Sequence, residues 1–207
     1  MKQQKIFITG ISTEVGKTIV SAIVTEALHA DYWKPIQAGE LDNCDTKKVE
    51  KLVSNQQSKF HPNSYALQTP MSPHAAAELD GVTIDLSEIV APNTNNHLVI
   101  EGAGGLLVPL NDSQTILDII KPEYKVVVVS RHYLGSINHT LLTIKLLQEK
   151  GLEVSVIFSG EEHKTTEDII KKMTNVSVLG RIEEEPYFDT NVIREYADLF
   201  REKLEGL

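Results

Sequence analysis

GISTEVGKT, residues 10–18, follows the short apolar run IFIT at residues 6–9 and leads into a helical pattern. A strand, a glycine-containing loop and a helix are the context of a phosphate-binding loop, whose usual pattern is Gly-x-x-x-x-Gly-Lys-Ser/Thr. In this chain Ile11 stands where the first glycine is usual, and the nearest glycine, Gly10, comes one residue early. A chance Gly-Lys-Thr is the alternative, but the flanking strand and helix favour a phosphate loop.

Strand-like and helical patterns alternate along the rest of the chain. The strand-like runs at 6–9, 97–101, 126–130, 154–158 and 176–179 are mostly apolar, and 32–36 is predicted to be extended because the residue before a proline is disfavoured in a helix. The helical patterns lie at 18–30, 45–54, 72–79, 138–150 and 189–205, and the polar stretch 55–70 is predicted as a loop.

Apolar strands separated by helices indicate a parallel sheet that is covered on both sides. We therefore predict a doubly wound α/β fold of the P-loop NTPase type, with a mainly parallel sheet, helices on both faces and a single domain over residues 1–207. In such folds ligands bind beyond the carboxyl ends of the strands, so the residues just after each strand are the candidates for function.

Composition narrows the class of protein. The chain has 207 residues and a formal net charge of −9, with no block of lysine and arginine, which disfavours binding to nucleic acid. The single cysteine, Cys44, excludes an internal disulfide. The N-terminal residues do not resemble a signal peptide, and no stretch approaches the roughly 20 apolar residues of a membrane helix. We expect a cytoplasmic protein with neither a nucleic-acid nor a membrane partner.

The phosphate loop suggests roles for its own residues. Backbone amides from Glu14 to Thr18, together with the dipole of the following helix, attract phosphate oxygens. Lys17 is expected to reach the β and γ phosphates, and the Thr18 hydroxyl is expected to bind Mg²⁺. Glu14 would repel phosphate, so its side chain is expected to turn outward or to face another group.

Three charged residues follow other strands and are expected at the same edge of the sheet. Glu101 ends the strand 97–101 and is placed to hold Mg²⁺, although a lone strand-end glutamate is more often simply solvated. Lys34 follows a strand and would bring a second lysine to the site, although a surface lysine beside a turn is the plainer interpretation. Asp45 begins a helix, where capping and Mg²⁺ binding are equally good interpretations.

Gly135 and Ser136 open the helix that starts at about Ile137. They expose a second helix N-terminus at the ligand edge, which is either an anion site or only a capped helix.

These motifs together resemble those of the dethiobiotin synthetase family over most of the chain to about residue 160. The motifs are GISTEVGKT at 10–18, YWKPIQAG at 32–39, Cys44-Asp45, Ser72-Pro73-His74, EGAGGLLVP at 101–109 and LGSINH at 134–139. The resemblance implies a P-loop ligase of biotin biosynthesis. Such an enzyme uses ATP and Mg²⁺ to close a ureido ring on 7,8-diaminopelargonic acid with CO₂ or bicarbonate, through a carbamate and a carbamic–phosphoric anhydride.

The resemblance also assigns residues to roles. It implies Lys17 and Lys34 as catalytic residues, and Thr18, Asp45 and Glu101 as Mg²⁺ ligands. The expected nucleotide-binding set is Glu14, Val15, Gly16, Lys17, Thr18, Ile19, Asp45, Glu101, Gly102, Ala103, Gly104, Ser159, Glu183, Glu184 and Glu185. The expected substrate-binding set is Thr13, Lys34, Ala38, Gly105, Leu134, Gly135, Ser136, Ile137 and Asn138. The last five belong to a segment that in the family reaches the substrate of the other subunit, which implies a homodimer with a shared substrate site.

The chain departs from the family pattern at three places. Ala38 stands where a hydroxyl residue is frequent, Ser159-Gly160 stand where Asn-Asp commonly reads adenine, and Glu183 to Glu185 replace a proline-containing purine loop. Tolerance of nucleotides other than ATP therefore stays open.

Two other classes of P-loop protein are possible. An amidoligase acting on a cobalamin precursor would carry a glutaminase domain, for which 207 residues leave no room. An ATPase switch for partitioning or cell division would carry an extra lysine at the position of Ser12 and would lack Lys34.

Overall fold

The computed structural model describes residues 3–207. Within them, nine strands and six α-helices follow one another along the chain. In chain order they are β1 (Lys5–Gly10), α1 (Lys17–Leu28), β2 (Asp31–Trp33), β3 (Ile36–Ala38), α2 (Asp45–Leu52), β4 (Phe60–His61), β5 (Tyr65–Leu67), α3 (Pro73–Leu79), β6 (Leu98–Glu101), β7 (Lys125–Arg131), α4 (Ser136–Glu149), β8 (Glu153–Ser159), α5 (Lys164–Thr174), β9 (Ser177–Ile182) and α6 (Thr190–Glu205).

Seven strands form one parallel sheet in the order β4-β2-β6-β1-β7-β8-β9. β1 lies at the centre, and the chain continues from it first to one side of the sheet and later, through β7, to the other. This reversal is the place where doubly wound sheets bind ligands. The predicted fold class is confirmed.

The core lies on both faces of this sheet. β6 and residues 126–130 of β7 are buried along their whole length, as expected for strands that are covered by helices on both sides. Helices α1, α2 and α6 pack together against one face, and α4 and α5 pack together against the other. No helix within residues 3–207 combines the length and the apolar character that crossing a membrane would require.

The predicted strands and helices are present, with three differences. The loop prediction for 55–70 is wrong at β4 and β5, which are too short to show a period in the sequence. The extended segment 32–36 is interrupted at Pro35, after which β3 pairs with β5 in a separate small sheet. Helix α5 has no counterpart among the predicted elements, because its apolar side chains are few.

Candidate active site

A cleft of about 780 Å³ opens beyond the carboxyl ends of the central strands. It brings together residues that are far apart in the sequence, as the parallel sheet requires. Of the predicted site residues it is lined by Thr13, Glu14, Gly16, Lys17, Thr18, Ile19, Lys34, Ala38, Asp45, Glu101, Ala103, Gly104, Ser159, Glu183, Glu184 and Glu185.

The geometry of the phosphate loop explains its displaced glycine. A Cβ atom on Gly10 would lie 2.6 Å from Val15 Cγ2 and 2.9 Å from the Ser12 carbonyl oxygen, so the loop folds back over a position where only glycine fits. Gly16 has a φ of 97°, in the left-handed region that favours glycine. Glu14 also has a positive φ and is exposed at the lining of the cleft, and the orientation expected for its side chain stays a prediction.

Lys17 lies on the floor of this loop. Its side chain is buried, and Nζ donates to the Ser12 carbonyl oxygen at 2.9 Å. Burial lowers the pKa of Lys17 to about 8, and the carboxylate of Glu101 opposes that shift without cancelling it. Lys17 therefore loses its charge more easily than an ordinary lysine.

Glu101 is the centre of a buried polar cluster. It is 1% exposed, and its Oε1 accepts from Thr18 Oγ1 at 3.0 Å and from Lys34 Nζ at 3.1 Å. Its Oε2 accepts from the Tyr32 hydroxyl at 2.9 Å. Lys34 also forms an ion pair with Asp45, the first residue of α2. The structure thus joins residues from β1–α1, β2, α2 and β6 in one network.

The charges in this cluster compensate one another. Burial favours the neutral form of Lys34, but Glu101 and Asp45 outweigh it and raise the pKa of Lys34. Burial likewise disfavours the charged form of Asp45, but Lys34 outweighs it and lowers the pKa of that carboxyl. Lys34 therefore carries a positive charge in a site from which water is largely excluded.

The donor set fits Mg²⁺. The ion prefers oxygen ligands and is usually held by one or two carboxylates together with substrate phosphates and water. Asp45, Glu101 and Thr18 are the oxygen donors that meet around Lys34 at the phosphate loop. Within residues 3–207 there is no group of three or more His, Cys, Asp and Glu side chains that would bind a metal by themselves.

The three glutamates at the far end of the cleft are each held by a partner. Glu183 pairs with Arg181 at 3.3 Å, and Glu184 pairs with Arg131 at 2.6 Å. Glu185 accepts from the Tyr196 hydroxyl at 2.7 Å. Ser159 lies beside the phosphate loop, with its Oγ 3.3 Å from where a Cβ on Gly16 would be, and a Cβ on the neighbouring Gly160 would lie 3.2 Å from Glu184 Oε1.

Comparison with known proteins gives the family. A family model described as an AAA domain matches residues 4–191. The ATP-dependent dethiobiotin synthetase BioD of Christiangramia forsetii is 63% identical over 199 residues, which are 96% of this chain and 96% of that protein. The chain belongs to the dethiobiotin synthetase family. The protein of the same name from Cytophaga hutchinsonii is 48% identical over 94% of this chain and 95% of its own length. The one from Nitrobacter hamburgensis is 43% identical over 95% of this chain and 94% of its own length.

Solved structures of other P-loop proteins share the fold of this dethiobiotin synthetase family member. A plasmid partition protein from Borrelia burgdorferi superposes with a TM-score of 0.60 at 15% identity, over the whole of both chains. A chain of the MinC:MinD cell division complex of Aquifex aeolicus superposes with a TM-score of 0.60 at 17% identity, over 99% of this chain and 96% of that one. At such identities the likeness shows the fold alone.

Eight predicted site residues lie outside the cleft lining among the residues that the structure describes. Val15 and Gly102 are buried, and a Cβ on Gly102 would lie 3.1 Å from the Phe7 ring. Gly105 packs against the backbone of Gly10. The other five, Leu134, Gly135, Ser136, Ile137 and Asn138, form the exposed start of α4, except for the buried Ser136. Their roles in dethiobiotin synthesis stay predictions.

The cleft also contains residues that the sequence patterns did not indicate. Lys48, on the second turn of α2, donates to Asp45 at 3.4 Å and to Glu40 at 2.9 Å. Arg131 ends β7, and Gln37 accepts from the Asp45 amide at 3.3 Å. Lys48 lies three residues after Asp45, so helical spacing could have revealed it; Arg131 and Gln37 have no comparable signal.

Proposed function

We propose that this chain catalyses the ATP- and Mg²⁺-dependent closure of a ureido ring on 7,8-diaminopelargonic acid with CO₂, giving dethiobiotin. The observation that carries the proposal is the position of Lys34. In a chain of the dethiobiotin synthetase family, a second buried lysine joins Thr18, Asp45 and Glu101 at the phosphate loop. A nucleotide switch has no need for this extra buried cation.

The proposed chemistry brings together two negatively charged reactants. One amine of the diamine takes up CO₂ and releases a proton to give a carbamate, whose oxygen attacks the γ-phosphate and expels ADP. The second amine then attacks the carbonyl carbon of the mixed anhydride, closes the ring and expels phosphate. Because carbamate and triphosphate repel each other, the reaction needs fixed cations between them.

Lys17 and Lys34 supply fixed positive charge on two sides of the phosphate loop. Lys17 binds the β and γ phosphates, and Lys34 binds the carbamate and the group being transferred. Thr18, Asp45 and Glu101 would hold Mg²⁺, which when bound neutralises charge on the phosphates. The sheet and the burial of the cluster keep these groups in place before substrate arrives, so little reorganisation is needed.

The two ends of the cleft are proposed to bind different parts of the reactants. Thr13 and Ala38 lie on the diamine side, and Ser159 with Glu183 to Glu185 lie on the side of the nucleotide base. ATP is the nucleotide in the names of the relatives. Because the reaction consumes ATP, we also propose that the enzyme works in the cytoplasm.

A homodimer is proposed from the start of α4. Leu134, just before α4, is fully exposed, and Ile137 and Leu142 in the first half of the helix are 37% and 61% exposed, so this region presents apolar side chains to solvent. Gly135 has a φ of 102°, and the first turn has no side-chain cap. A free helix N-terminus attracts an anion, which here is proposed to be the tail carboxylate of the diamine bound in the other subunit.

The test is release of phosphate from ATP with the diamine, bicarbonate and Mg²⁺, omitting each in turn. We expect turnover only when all are present, with dethiobiotin formed in equal amount. Turnover that does not need the diamine would favour the ATPase switch and contradict the proposal. Lys17→Ala and Lys34→Ala are expected to abolish ring closure while the fold is retained, and full activity in either variant would remove that lysine from the mechanism.

A further inference from the structure

The orientation of the Glu101 carboxylate depends on a residue from another strand. β2 and β6 pair in parallel with Tyr32 opposite Val99 and Trp33 opposite Ile100. Because side chains alternate along a strand, Glu101 projects to the same face of the sheet as Val99 and Tyr32. Tyr32 and Glu101 are diagonal neighbours on that face, a separation that an aromatic side chain can span. Accordingly, the Tyr32 hydroxyl reaches Glu101 Oε2 at 2.9 Å.

The ring of Tyr32 is fixed by packing. Tyr32 is 0% exposed, and its ring lies 6.4 Å from the ring of Phe60 on β4, with the two planes at 46°. A fully enclosed ring cannot change its rotamer without displacing its neighbours, so the position of the hydroxyl oxygen is fixed. The hydrogen bond to Glu101 is therefore imposed by the core of the sheet and not by the cleft.

The two oxygens of Glu101 consequently have different surroundings. Oε2 is directed into the protein toward Tyr32, whereas Oε1 faces Thr18 and Lys34 in the cleft. A carboxylate held at one oxygen cannot rotate about its last bond without breaking a charge-assisted hydrogen bond. Since both residues are buried, loss of that bond would also leave Oε2 without a donor where water has little access.

We propose that Tyr32 is a positioning residue for the reaction, which holds Glu101 with Oε1 facing the phosphate loop and thereby sets the affinity for the Mg²⁺–nucleotide pair. The inference rests on the proposed function, in which Glu101 is one of the Mg²⁺ ligands. Groups that orient metal-binding carboxylates typically change metal affinity or activity about ten- to a hundredfold when they are removed. Tyr32 acts through Glu101 and contacts neither the nucleotide nor the diamine.

The test compares Tyr32→Phe with Tyr124→Phe. Phenylalanine keeps the ring and removes only the hydroxyl. Tyr124 is a matched control because it is also buried, at 2% exposed, but directly precedes β7 and so lies at the amino-terminal ends of the strands, away from the cleft. For Tyr32→Phe we expect the Mg²⁺ concentration for half-maximal activity to rise about tenfold, with the KM for the diamine unchanged. For Tyr124→Phe we expect neither to change. Equal Mg²⁺ requirements in wild type and Tyr32→Phe would overturn the proposal.

A binding experiment separates this inference from the proposed reaction. Paramagnetic Mn²⁺ is titrated into each protein with the non-hydrolysable analogue AMPPNP, and free Mn²⁺ is measured by its magnetic resonance signal. Tyr32→Phe is expected to weaken Mn²⁺ binding about tenfold, whether or not ring closure is the activity. Failure of the omission assay in wild type would contradict the proposed reaction alone, whereas unchanged Mn²⁺ binding in Tyr32→Phe would contradict the role of Tyr32.

A double variant distinguishes positioning from a general loss of stability. If Tyr32 acts through Glu101, then Tyr32→Phe in a Glu101→Gln background is expected to bind Mn²⁺–AMPPNP as Glu101→Gln alone does. An additional tenfold loss in the double variant would show that Tyr32 acts by another route and would overturn the proposal. If Tyr32→Phe alone fails to fold while Glu101 is charged, the proposal is still tested by comparing the double variant with Glu101→Gln.

Discussion

Replacing Lys34 by methionine removes the cation that lies between Asp45 and Glu101. Lys34 is 6% exposed, and its Nζ lies 3.1 Å from Glu101 Oε1. At that distance, and with an effective dielectric constant of about 20, the attraction between two unit charges is about 5 kcal/mol. The desolvation of the lysine offsets part of this, and breaking a buried pair by removing one partner typically costs about 3–5 kcal/mol. We expect Lys34→Met to lose that amount of unfolding free energy.

The loss is measured by urea unfolding in EDTA, so that no divalent cation replaces the lysine. Lys48→Met is the matched control, because Lys48 also pairs with Asp45 but its side chain is 35% exposed. A partly exposed pair contributes about 0–1 kcal/mol, so we expect a small change in the control. In a natural domain the total stability is about 5–15 kcal/mol, so Lys34→Met is expected to remain folded at 25 °C.

A second substitution separates stability from catalysis. Glu101→Gln in the Lys34→Met background removes the uncompensated buried charge, and we expect the double variant to be more stable than Lys34→Met by about 2 kcal/mol. Phosphate release that depends on the diamine is expected to stay at least about a hundredfold below wild type, since the charge that stabilises the transition state is absent in both. Wild-type stability in Lys34→Met, or no gain in the double variant, would refute the ion-pair reasoning.

Three further predictions concern the loop, the pH dependence and the dimer. Gly10→Ala is expected to weaken AMPPNP binding, measured by calorimetry, and to cost about 1–3 kcal/mol in unfolding free energy, because the new Cβ would lie 2.6 Å from Val15; unchanged affinity would contradict the account of the loop. The kcat/KM for ATP is expected to fall as the pH rises through about 8, where Lys17 in the free enzyme loses its proton and its attraction for phosphate; a flat profile to pH 9.5 would contradict that role. Leu134→Asp is expected to convert a dimer into a monomer in sedimentation experiments, because Leu134 is fully exposed in the single chain; a monomeric wild type would contradict the proposed interface.

Much of the fold was predictable because its signals are local. The runs 126–130 and 154–158 are apolar at every position except Ser130 and Ser155, and this pattern favours a strand that is covered on both faces. The phosphate loop is recognisable from Gly16, Lys17 and Thr18, which follow one another between a strand and a helix. Helix α5 and the short strands β4 and β5 could not be predicted in the same way, because they contain too few apolar residues to show a period.

The candidate site was predictable only in part. Lys34, Asp45 and Glu101 could be selected because each is a charged residue at the end of an element, and parallel strands bring such ends to one edge. Tyr32 could not be selected, because nothing in the sequence shows that β2 pairs with β6, which begins only at Leu98 and is remote from β2 in the chain.

Local sequence patterns are enough to predict the longer helices and strands, the end of the sheet where ligands are expected, and the charged residues at that end. These properties are predictable because they depend on the spacing of apolar residues, on Gly10 and Gly16, and on other residue types within a few positions of one another in the sequence. The hydrogen bonds and ion pairs of the site could not be predicted in this way, since they depend on distances between strands that are remote in the chain. Only these distances show that Lys34 lies between two carboxylates, and that the hydroxyl of a core tyrosine donates a hydrogen bond to Glu101.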